Sequence, residues 1–145
     1  MILALVVAGK NIKNVAVLKR KEMSLMLKEK KKISVPGFLA NGIAAGIKED
    51  QRKDLALIYS TIPAKVAAVF TRNTFKAAPV LIDTERVKNG LAQAIITNSG
   101  CANAATGKDG YEDALKISAA LSKRLKIKEE LILIGSTGVI GKRLP

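Results

Sequence analysis

Residues that could do chemistry are concentrated in two segments of small residues, and the first is Gly135–Gly141. It follows the apolar run Leu131–Ile134, which predicts a Gly-rich turn after a buried strand. Such a turn offers consecutive backbone N–H groups, which can stabilise the oxyanion that forms when a carbonyl is attacked. Thr137 can add its hydroxyl, and Gly138 lets a substrate approach the backbone closely. An ordinary strand-to-helix turn would use the same residues.

The same segment does not have the spacing of known phosphate-binding loops. A Walker loop places four residues between its glycines and a hydroxyl residue after its lysine. Here five residues separate Gly135 from Gly141, and Arg143 follows Lys142. A Gly-x-Gly-x-x-Gly dinucleotide fingerprint is also missing from this segment.

The second segment, Asn98–Lys108, is polar and follows an apolar run. Ligands of α/β proteins often bind where strands end, so Asn98, Gly100 and Asn103 are candidates for lining an active site. Asx turns that satisfy their own side chains would use the same residues. Cys101 has no neighbouring His to activate its thiol, so we expect a small buried cysteine or a loop cysteine and not an activated thiolate.

The composition excludes several other kinds of site. The 145 residues include no His and one Cys, which removes His-containing triads, mixed His/Cys zinc sites and intramolecular disulfides. Asp109, Glu112 and Asp113 lie together, but the helix dipole explains acidic residues in a first helical turn. We therefore expect no metal site, and chemistry that uses hydroxyls, amides, carboxylates or amines.

The net charge of +13 is unevenly distributed. Residues 1–33 hold nine basic and two acidic side chains, which gives +7 and leaves +6 for the other 112 residues. Nucleic-acid or membrane-surface binding would therefore use mainly residues 1–33, and five aromatic residues in the chain offer little base stacking. The apolar start Met1–Ala8 is too short to span a bilayer and lacks the charge of a signal peptide. With a single Cys, this predicts a cytoplasmic protein.

The contrast between the strongly basic residues 1–33 and the mildly basic remainder predicts a domain boundary near Ser34. Residues 1–33 are an N-terminal extension, either a disordered tail or a mis-assigned start with translation beginning at Met23 or Met26. A basic amphipathic helix is a further alternative, with an apolar stripe formed by Ile12, Val15, Leu18 and Leu25. Residues 34–145 form the body of the protein.

A sheet must position the two candidate segments. Pro63 separates two predicted strands, Leu55–Ser60 and Ala64–Thr71, which we expect to pair as a hairpin. The apolar runs Leu91–Thr97 and Leu131–Ile134 predict two more strands, the second buried on both faces because it carries no charge.

Two further patterns predict how the strands are connected. Ala78–Asp83 is predicted as a short strand, followed by one helical turn that ends at Gly90. Helical spacing of apolar residues predicts an amphipathic helix over Gly110–Lys126, capped by Asp109. The body is therefore an α/β fold, with sheets covered by helices.

Six segments of the body together resemble the bifunctional ornithine acetyltransferase/N-acetylglutamate synthase (ArgJ) family of arginine biosynthesis. They are Val35–Lys48, Arg52–Ser60, Val69–Asn73, Lys76–Val80, Asn98–Ala104 and Ser136–Gly141. They occur in the family's order and cover about residues 34–145. Residues 1–33 have no counterpart, and Cys101 stands where many members have Asn.

The resemblance implies a layered architecture like that of the ArgJ and DmpA proteins, incomplete in this chain, and identifies residues 34–145 as the N-terminal portion of the α chain. The family's precursor cleaves itself autocatalytically before an internal Thr, which can use its own α-amine as base. This Thr takes acetyl from N-acetylornithine and passes it to glutamate, and some members also accept acetyl-CoA. The α and β chains assemble as an α2β2 heterotetramer.

The resemblance also assigns roles to residues. The family's oxyanion-hole pair falls on Thr137 and Gly138, and the nucleophile is not in this chain, so we expect the chain alone to be inactive. We expect no permanently bound cofactor and no nucleic-acid or membrane partner. The alternative is a small basic protein that binds nucleic acid or a membrane surface through residues 1–33.

Overall fold

The computed structural model describes residues 3–7, as backbone, and residues 35–145. The amphipathic helix and the alternative starts at Met23 and Met26 lie outside the described residues. Most of the basic segment 1–33, on which nucleic-acid or membrane binding depends, lies outside them as well. The domain boundary near Ser34 stays a prediction.

The described residues form a five-stranded mixed sheet. Its strands are β1 Leu3–Val7, β2 Phe38–Ile43, β3 Leu55–Val69, β4 Leu91–Cys101 and β5 Ile132–Val139. The order is β1-β3-β4-β5, and β2 also pairs with β3. The 15 residues of β3 accommodate both partners, since β2 pairs with its first half and β1 with its second half. The β3–β4 pair is antiparallel and the β4–β5 pair is parallel.

Two helices accompany the sheet, α1 over Ala78–Arg86 and α2 over Gly107–Leu125. Short 3-10 segments follow them at Val87–Asn89 and Glu129–Leu131. Parallel strands need a crossover connection, and α2 supplies it between β4 and β5. In the part of the chain that the structure describes, neither helix has the length and apolarity to cross a membrane.

The hairpin expected around Pro63 is wrong, because β3 is one continuous strand. The register with β4 shifts between Tyr59 and Ala64, so Pro63 falls in an irregular stretch of the pairing. A proline is tolerated at such a bulge because it need not donate a ladder hydrogen bond.

The short strand expected at Ala78–Asp83 is also wrong, because these residues begin α1. Pro79 lies in the first helical turn, where its missing N–H would have no helical partner. A short apolar run has no periodicity that separates a strand from a buried helix. The chain turns at Gly90, as predicted, with a φ of 73°.

The predicted amphipathic helix is present, but α2 begins three residues earlier, at Gly107. Thr106 occupies the N-cap position, and Asp109 lies in the first turn instead of capping the helix. The helix ends at Leu125, where Lys126 adopts a left-handed conformation with φ 56°.

The core lies between the sheet and the two helices. It contains side chains of α1, β4, α2 and β5, namely Ala78, Ile82, Ala94, Ile96, Ala114, Ile132 and Ile134. Ile132, Leu133 and Ile134 are all at most 2% exposed, which confirms the strand predicted to be buried on both faces. Ile58 and Thr97, on the sheet face away from α2, are exposed.

Candidate active site

The two candidate segments lie side by side because β4 and β5 are parallel neighbours. β4 continues to Cys101 and β5 to Val139, so residues expected in a loop and a turn are strand residues. The pairs are Asn98 with Ser136, Ser99 with Thr137, and Gly100 with Gly138. Gly, Ser and Thr after an apolar run are typical of turns, which is why the sequence predicted one.

The pairing becomes irregular at the candidate oxyanion-hole residues. Cys101 pairs with both Thr137 and Val139, and Gly138 has a φ of 134°. The opposite residue, Gly100, has a φ of 108°. Two glycines in conformations that L residues rarely adopt therefore face each other where β4 and β5 end.

A cavity of about 770 Å³ lies beside Thr137 and Gly138. Its wall combines the sheet face away from α2 with α1 and the segment that follows β4. The side chains are mostly apolar, among them Ile58, Pro79, Ile95, Leu133 and Ile140. Polar groups there are fewer, and include Asp83, Thr97, Ser136 and Thr137. Hydrogen-bond donors that are held in place beside such a cavity can stabilise a negative charge that develops on a substrate.

Backbone alternation along β5 separates the N–H groups of Thr137 and Gly138. The Ile134 N–H donates to Asp83 of α1 over 3.0 Å. The backbone N–H and C=O groups of the even-numbered residues of β5 therefore point away from β4. The Val139 carbonyl accepts a 2.9 Å hydrogen bond from Ala102, which follows β4, in agreement with this alternation. The Gly138 N–H therefore points to the α1 side and the Thr137 N–H towards β4. The consecutive N–H groups of Thr137 and Gly138, which the sequence analysis expected to act together at a turn, therefore do not point to the same side of β5.

The carboxamide side chains of the second segment have local partners. Asn98 is buried, accepts the Ser136 hydroxyl over 2.6 Å and donates to the Cys101 carbonyl over 2.8 Å. Asn103 is fully buried and bonds at 2.8 Å to both the Gly110 carbonyl and the Thr106 hydroxyl. The lining residues of the cavity do not include them.

Of the second segment, Gly100 is therefore the candidate that the structure brings against Thr137 and Gly138. The Cys101 side chain, beside it, is buried and lies 2.9 Å from the Lys142 carbonyl. Of the buried cysteine and the loop cysteine expected from the sequence, the structure has the buried one, at the end of β4.

Asp83 lines the cavity and was not singled out by the sequence analysis. It is 1% exposed, and burial raises the pKa of its carboxyl to about 7, although the Ile134 N–H and the Arg86 charge oppose this rise. Its signal in the sequence is an acid at the end of the apolar run 78–82, which becomes informative only once that run is recognised as a buried helix.

Asp54 is a second residue that the sequence analysis did not single out. Its carboxylate accepts the N–H groups of Ala45 at 2.6 Å, Ile47 at 2.7 Å and Lys48 at 2.9 Å. These hydrogen bonds, led by that from Ala45, lower the pKa of the carboxyl. Its backbone carbonyl accepts the Ser99 N–H over 2.7 Å, so Asp54 holds the 44–48 loop beside the end of β4.

Sequence comparisons relate this chain to one family. The model of the ArgJ family matches residues 39–145. The arginine biosynthesis bifunctional protein ArgJ of Caldanaerobacter subterraneus subsp. tengcongensis is 56% identical over 115 residues, which are 79% of this chain and 28% of that protein. ArgJ 1 of Clostridium acetobutylicum is 48% identical over 120 residues, 83% of this chain and 29% of that protein. This chain thus spans less than a third of these relatives' length.

Two solved structures are similar to this chain. The crystal structure of the ArgJ protein of Bacillus halodurans superposes with a TM-score of 0.73 and 45% identity, over 76% of this chain and 58% of that chain. The crystal structure of ornithine acetyltransferase of Mycobacterium tuberculosis, in complex with ornithine, superposes with a TM-score of 0.70 and 44% identity, over 76% of this chain and 60% of that chain. Both confirm the predicted α/β class, with a sheet covered by helices. Because the family model matches well over half of its residues, this chain belongs to the ArgJ family.

Proposed function

We propose that this chain is the N-terminal portion of the α chain of a glutamate N-acetyltransferase of arginine biosynthesis. The enzyme moves acetyl from N-acetylornithine to glutamate through an acetyl-threonine intermediate. The observation that carries the proposal is the cavity beside Thr137 and Gly138, in a chain of the ArgJ family. The ornithine bound to the related M. tuberculosis enzyme supports the class of substrate.

In the proposed reaction, Thr137 and Gly138 bind the charge that develops on the acetyl oxygen. The donors are the Thr137 hydroxyl and the Gly138 N–H, which belong to residues that line the cavity. Pairing of β5 with β4 fixes both residues before substrate arrives, so little reorganisation is needed when the charge forms. Loss of one donor of this kind typically costs about 2.7–4 kcal/mol of transition-state stabilisation.

The nucleophile is an N-terminal threonine outside these 145 residues, on the β chain from the same precursor. Its hydroxyl gives a proton to its own α-amine and attacks the acetyl carbonyl, whose π electrons move to oxygen. Collapse of this oxyanion breaks the C–N bond, and ornithine leaves with the proton. The unprotonated amine of glutamate then attacks the acetyl-threonine and gives a proton to the α-amine, and the same two donors bind the second oxyanion. Its collapse breaks the C–O bond to threonine, whose oxygen takes the proton back from the α-amine as N-acetylglutamate leaves.

The broader features of this enzyme are part of the same proposal. They include autocatalytic cleavage into α and β chains, an α2β2 heterotetramer, and a cytoplasmic location. The use of acetyl-CoA as an alternative acetyl donor stays a prediction. The absence of a permanently bound cofactor stays a prediction as well. The chain alone should not turn over, so formation of N-acetylglutamate by purified residues 1–145 would contradict this division of roles.

A chimera tests the proposal in a full-length enzyme. Residues 39–145 of this chain replace the matched segment of the Caldanaerobacter protein, and N-acetylglutamate formation from N-acetylornithine and glutamate is measured. We expect an active chimera in which Thr137→Val lowers kcat about 100- to 1,000-fold, because valine keeps the shape of the side chain but removes its hydroxyl. Thr74→Val is the control, since Thr74 is exposed and does not line the cavity. An unchanged kcat in Thr137→Val would refute the assigned role.

A further inference from the structure

β5 is an edge strand within the described part of the sheet, with β4 on one side. An edge strand presents a row of unpaired N–H and C=O groups. Two side chains of α1 bind such groups: Asp83 accepts the Ile134 N–H at 3.0 and 3.2 Å, and Arg86 donates to the Ile132 carbonyl at 2.7 Å. The helix thus supplies hydrogen bonds that a neighbouring strand would otherwise make.

The spacing of the two elements explains why this contact is possible. Residues three apart on a helix lie about 5–6 Å apart, as Asp83 and Arg86 do by sequence. Residues two apart on a strand are separated by about 6.6 Å, as Ile132 and Ile134 are. One carboxylate and one guanidinium on the same helix face can therefore bind an N–H donor and a carbonyl acceptor, respectively, of one strand edge.

The cation of this pair is firmly anchored. Arg86 donates to the Ser118 hydroxyl of α2 at 3.0 Å and to the Glu129 carboxylate at 2.7 Å, and its side chain is 10% exposed. The positive charge of Arg86 acts to lower the pKa of the Asp83 carboxyl, and Arg86 itself forms an ion pair with Glu129. The edge contact is therefore built into the packing of α1 against α2 and the second 3-10 segment.

Asp83 connects this edge contact to the cavity. It lines the cavity together with Thr137 and Gly138, and the N–H that it binds lies three residues before Thr137 on the same strand. By backbone alternation the Ile134 and Gly138 N–H groups point to the same side of β5. A shift of the strand at Ile134 would thus move the Gly138 N–H relative to the cavity.

We propose that Asp83 is a positioning residue of this site, which sets the direction of the Gly138 N–H by holding the edge of β5 at Ile134. The inference rests on the proposed function for its effect on acetyl transfer. Asp83 itself is not assigned any contact with substrate. Burying a carboxylate beside an apolar cavity is unfavourable. A role in holding the Ile134 N–H explains why an acidic residue occupies this position.

The first experiment measures backbone N–H groups by NMR in the 145-residue chain. Asp83→Ala removes the acceptor, and we expect about tenfold faster hydrogen exchange at Ile134 together with a changed chemical shift of the Gly138 N–H. Asp83→Asn keeps an acceptor oxygen and should retain the wild-type exchange rate and shift. Glu85→Ala is the matched control, an exposed acid on the same helix that pairs with Lys88. An unchanged Gly138 shift in Asp83→Ala would overturn the proposal.

Should Asp83→Ala not fold, a pH titration decides in its place. In the wild-type chain, the Ile134 and Gly138 N–H shifts should titrate with one common midpoint, and in Asp83→Asn both should be flat over the same range. A Gly138 shift that does not follow Ile134 would overturn the inference.

The second experiment uses the full-length chimera and separates the two proposals. Asp83→Ala should lower kcat about tenfold with KM nearly unchanged, and Asp83→Asn should restore it. A full kcat in Asp83→Ala, with Thr137→Val impaired, would overturn the positioning role and leave the proposed function standing. A full kcat in Thr137→Val would instead refute the role assigned to Thr137, and an inactive chimera would refute the proposed function. In either case the NMR measurements would still decide whether Asp83 positions Gly138.

Discussion

The backbone of Gly138 on β5 lies directly against that of Gly100 on β4. A Cβ added to Gly138 would be 2.3 Å from the Gly100 carbonyl carbon and 2.6 Å from the Cys101 nitrogen. With its φ of 134°, Gly138 also has a conformation that favours glycine. A side chain at this position would push the strands apart next to Thr137, so packing requires the same glycine that the proposed mechanism uses.

Gly138→Ala should therefore destabilise the protein by about 2–6 kcal/mol, from backbone strain of about 1–3 kcal/mol and overpacking of about 1–3 kcal/mol. The urea midpoint measured by circular dichroism gives this loss. Gly141→Ala is the control, because Gly141 has a φ of 78° but no atom within 4 Å of an added Cβ. We expect about 1–2 kcal/mol there, and equal losses in both variants would show that the contact with Gly100 contributes nothing.

Gly110 is the second glycine that packing requires, in the first turns of α2. An added Cβ would be 1.9 Å from the Thr106 hydroxyl and 2.4 Å from the Asn103 side-chain oxygen. Gly110→Ala should thus disrupt the Asn103–Thr106 hydrogen bond and destabilise the protein by about 1–3 kcal/mol.

A double-mutant cycle with Thr106→Ala checks the cause of this loss. Removing the hydroxyl should make Gly110→Ala less costly, so the two free energies of unfolding should not add. Gly107→Ala is the control, because Gly107 has no atom within 4 Å of an added Cβ, so its cost comes from its φ of 62° and should add to that of Thr106→Ala. Strict additivity would contradict the predicted clash with Thr106.

The buried parts of the sheet could be predicted from the sequence because their signal is local. The apolar runs Leu91–Thr97 and Leu131–Ile134 both lie in strands, except that Leu131 ends the preceding 3-10 segment. Pro63 was misleading, and Pro79 was not recognised as the start of a helix, for the same local reason. Whether a proline breaks a strand, occupies a bulge or begins a helix depends on the hydrogen bonds and packing of the neighbouring elements, which a local pattern does not show.

The site was predictable in part. The segments carrying Gly100, Thr137 and Gly138 do meet, because parallel strands bring their ends to the same edge of the sheet. Local propensity, however, does not show that β5 continues through a Gly-Ser-Thr-Gly stretch, since pairing with β4 stabilises it. The contact of Asp83 with Ile134 joins residues 51 positions apart, and a single sequence contains no signal for it.

Protonation of Asp83 should couple stability to pH. Burial raises the pKa of its carboxyl to about 7 in the folded state, against about 3.9 when unfolded. Between these values the folded state binds more protons, so stability falls as pH rises through this range and the loss is complete above about pH 7. At about 1.4 kcal/mol per unit, the full effect is on the order of 4 kcal/mol.

Asp83→Asn should remove this dependence. Urea unfolding of both proteins at pH 5, 6, 7 and 8 should show the variant gaining stability relative to wild type up to about pH 7, and little further change above it. A wild-type protein that becomes more stable than Asp83→Asn as pH rises would show that the carboxylate, and not the neutral acid, is the preferred buried form.

Asp54 should couple stability to pH in the opposite sense. Hydrogen bonds from the N–H groups of Ala45, Ile47 and Lys48 hold the pKa of its carboxyl below the ordinary value. Its contribution to stability is therefore present above about pH 4 and is lost as pH falls through the lowered pKa. Asp54→Ala should speed hydrogen exchange at those three N–H groups at neutral pH, whereas the exposed Asp50→Ala should leave their rates unchanged. If their exchange in Asp54→Ala matched wild type, the 44–48 loop would be held by its other contacts and not by this carboxylate.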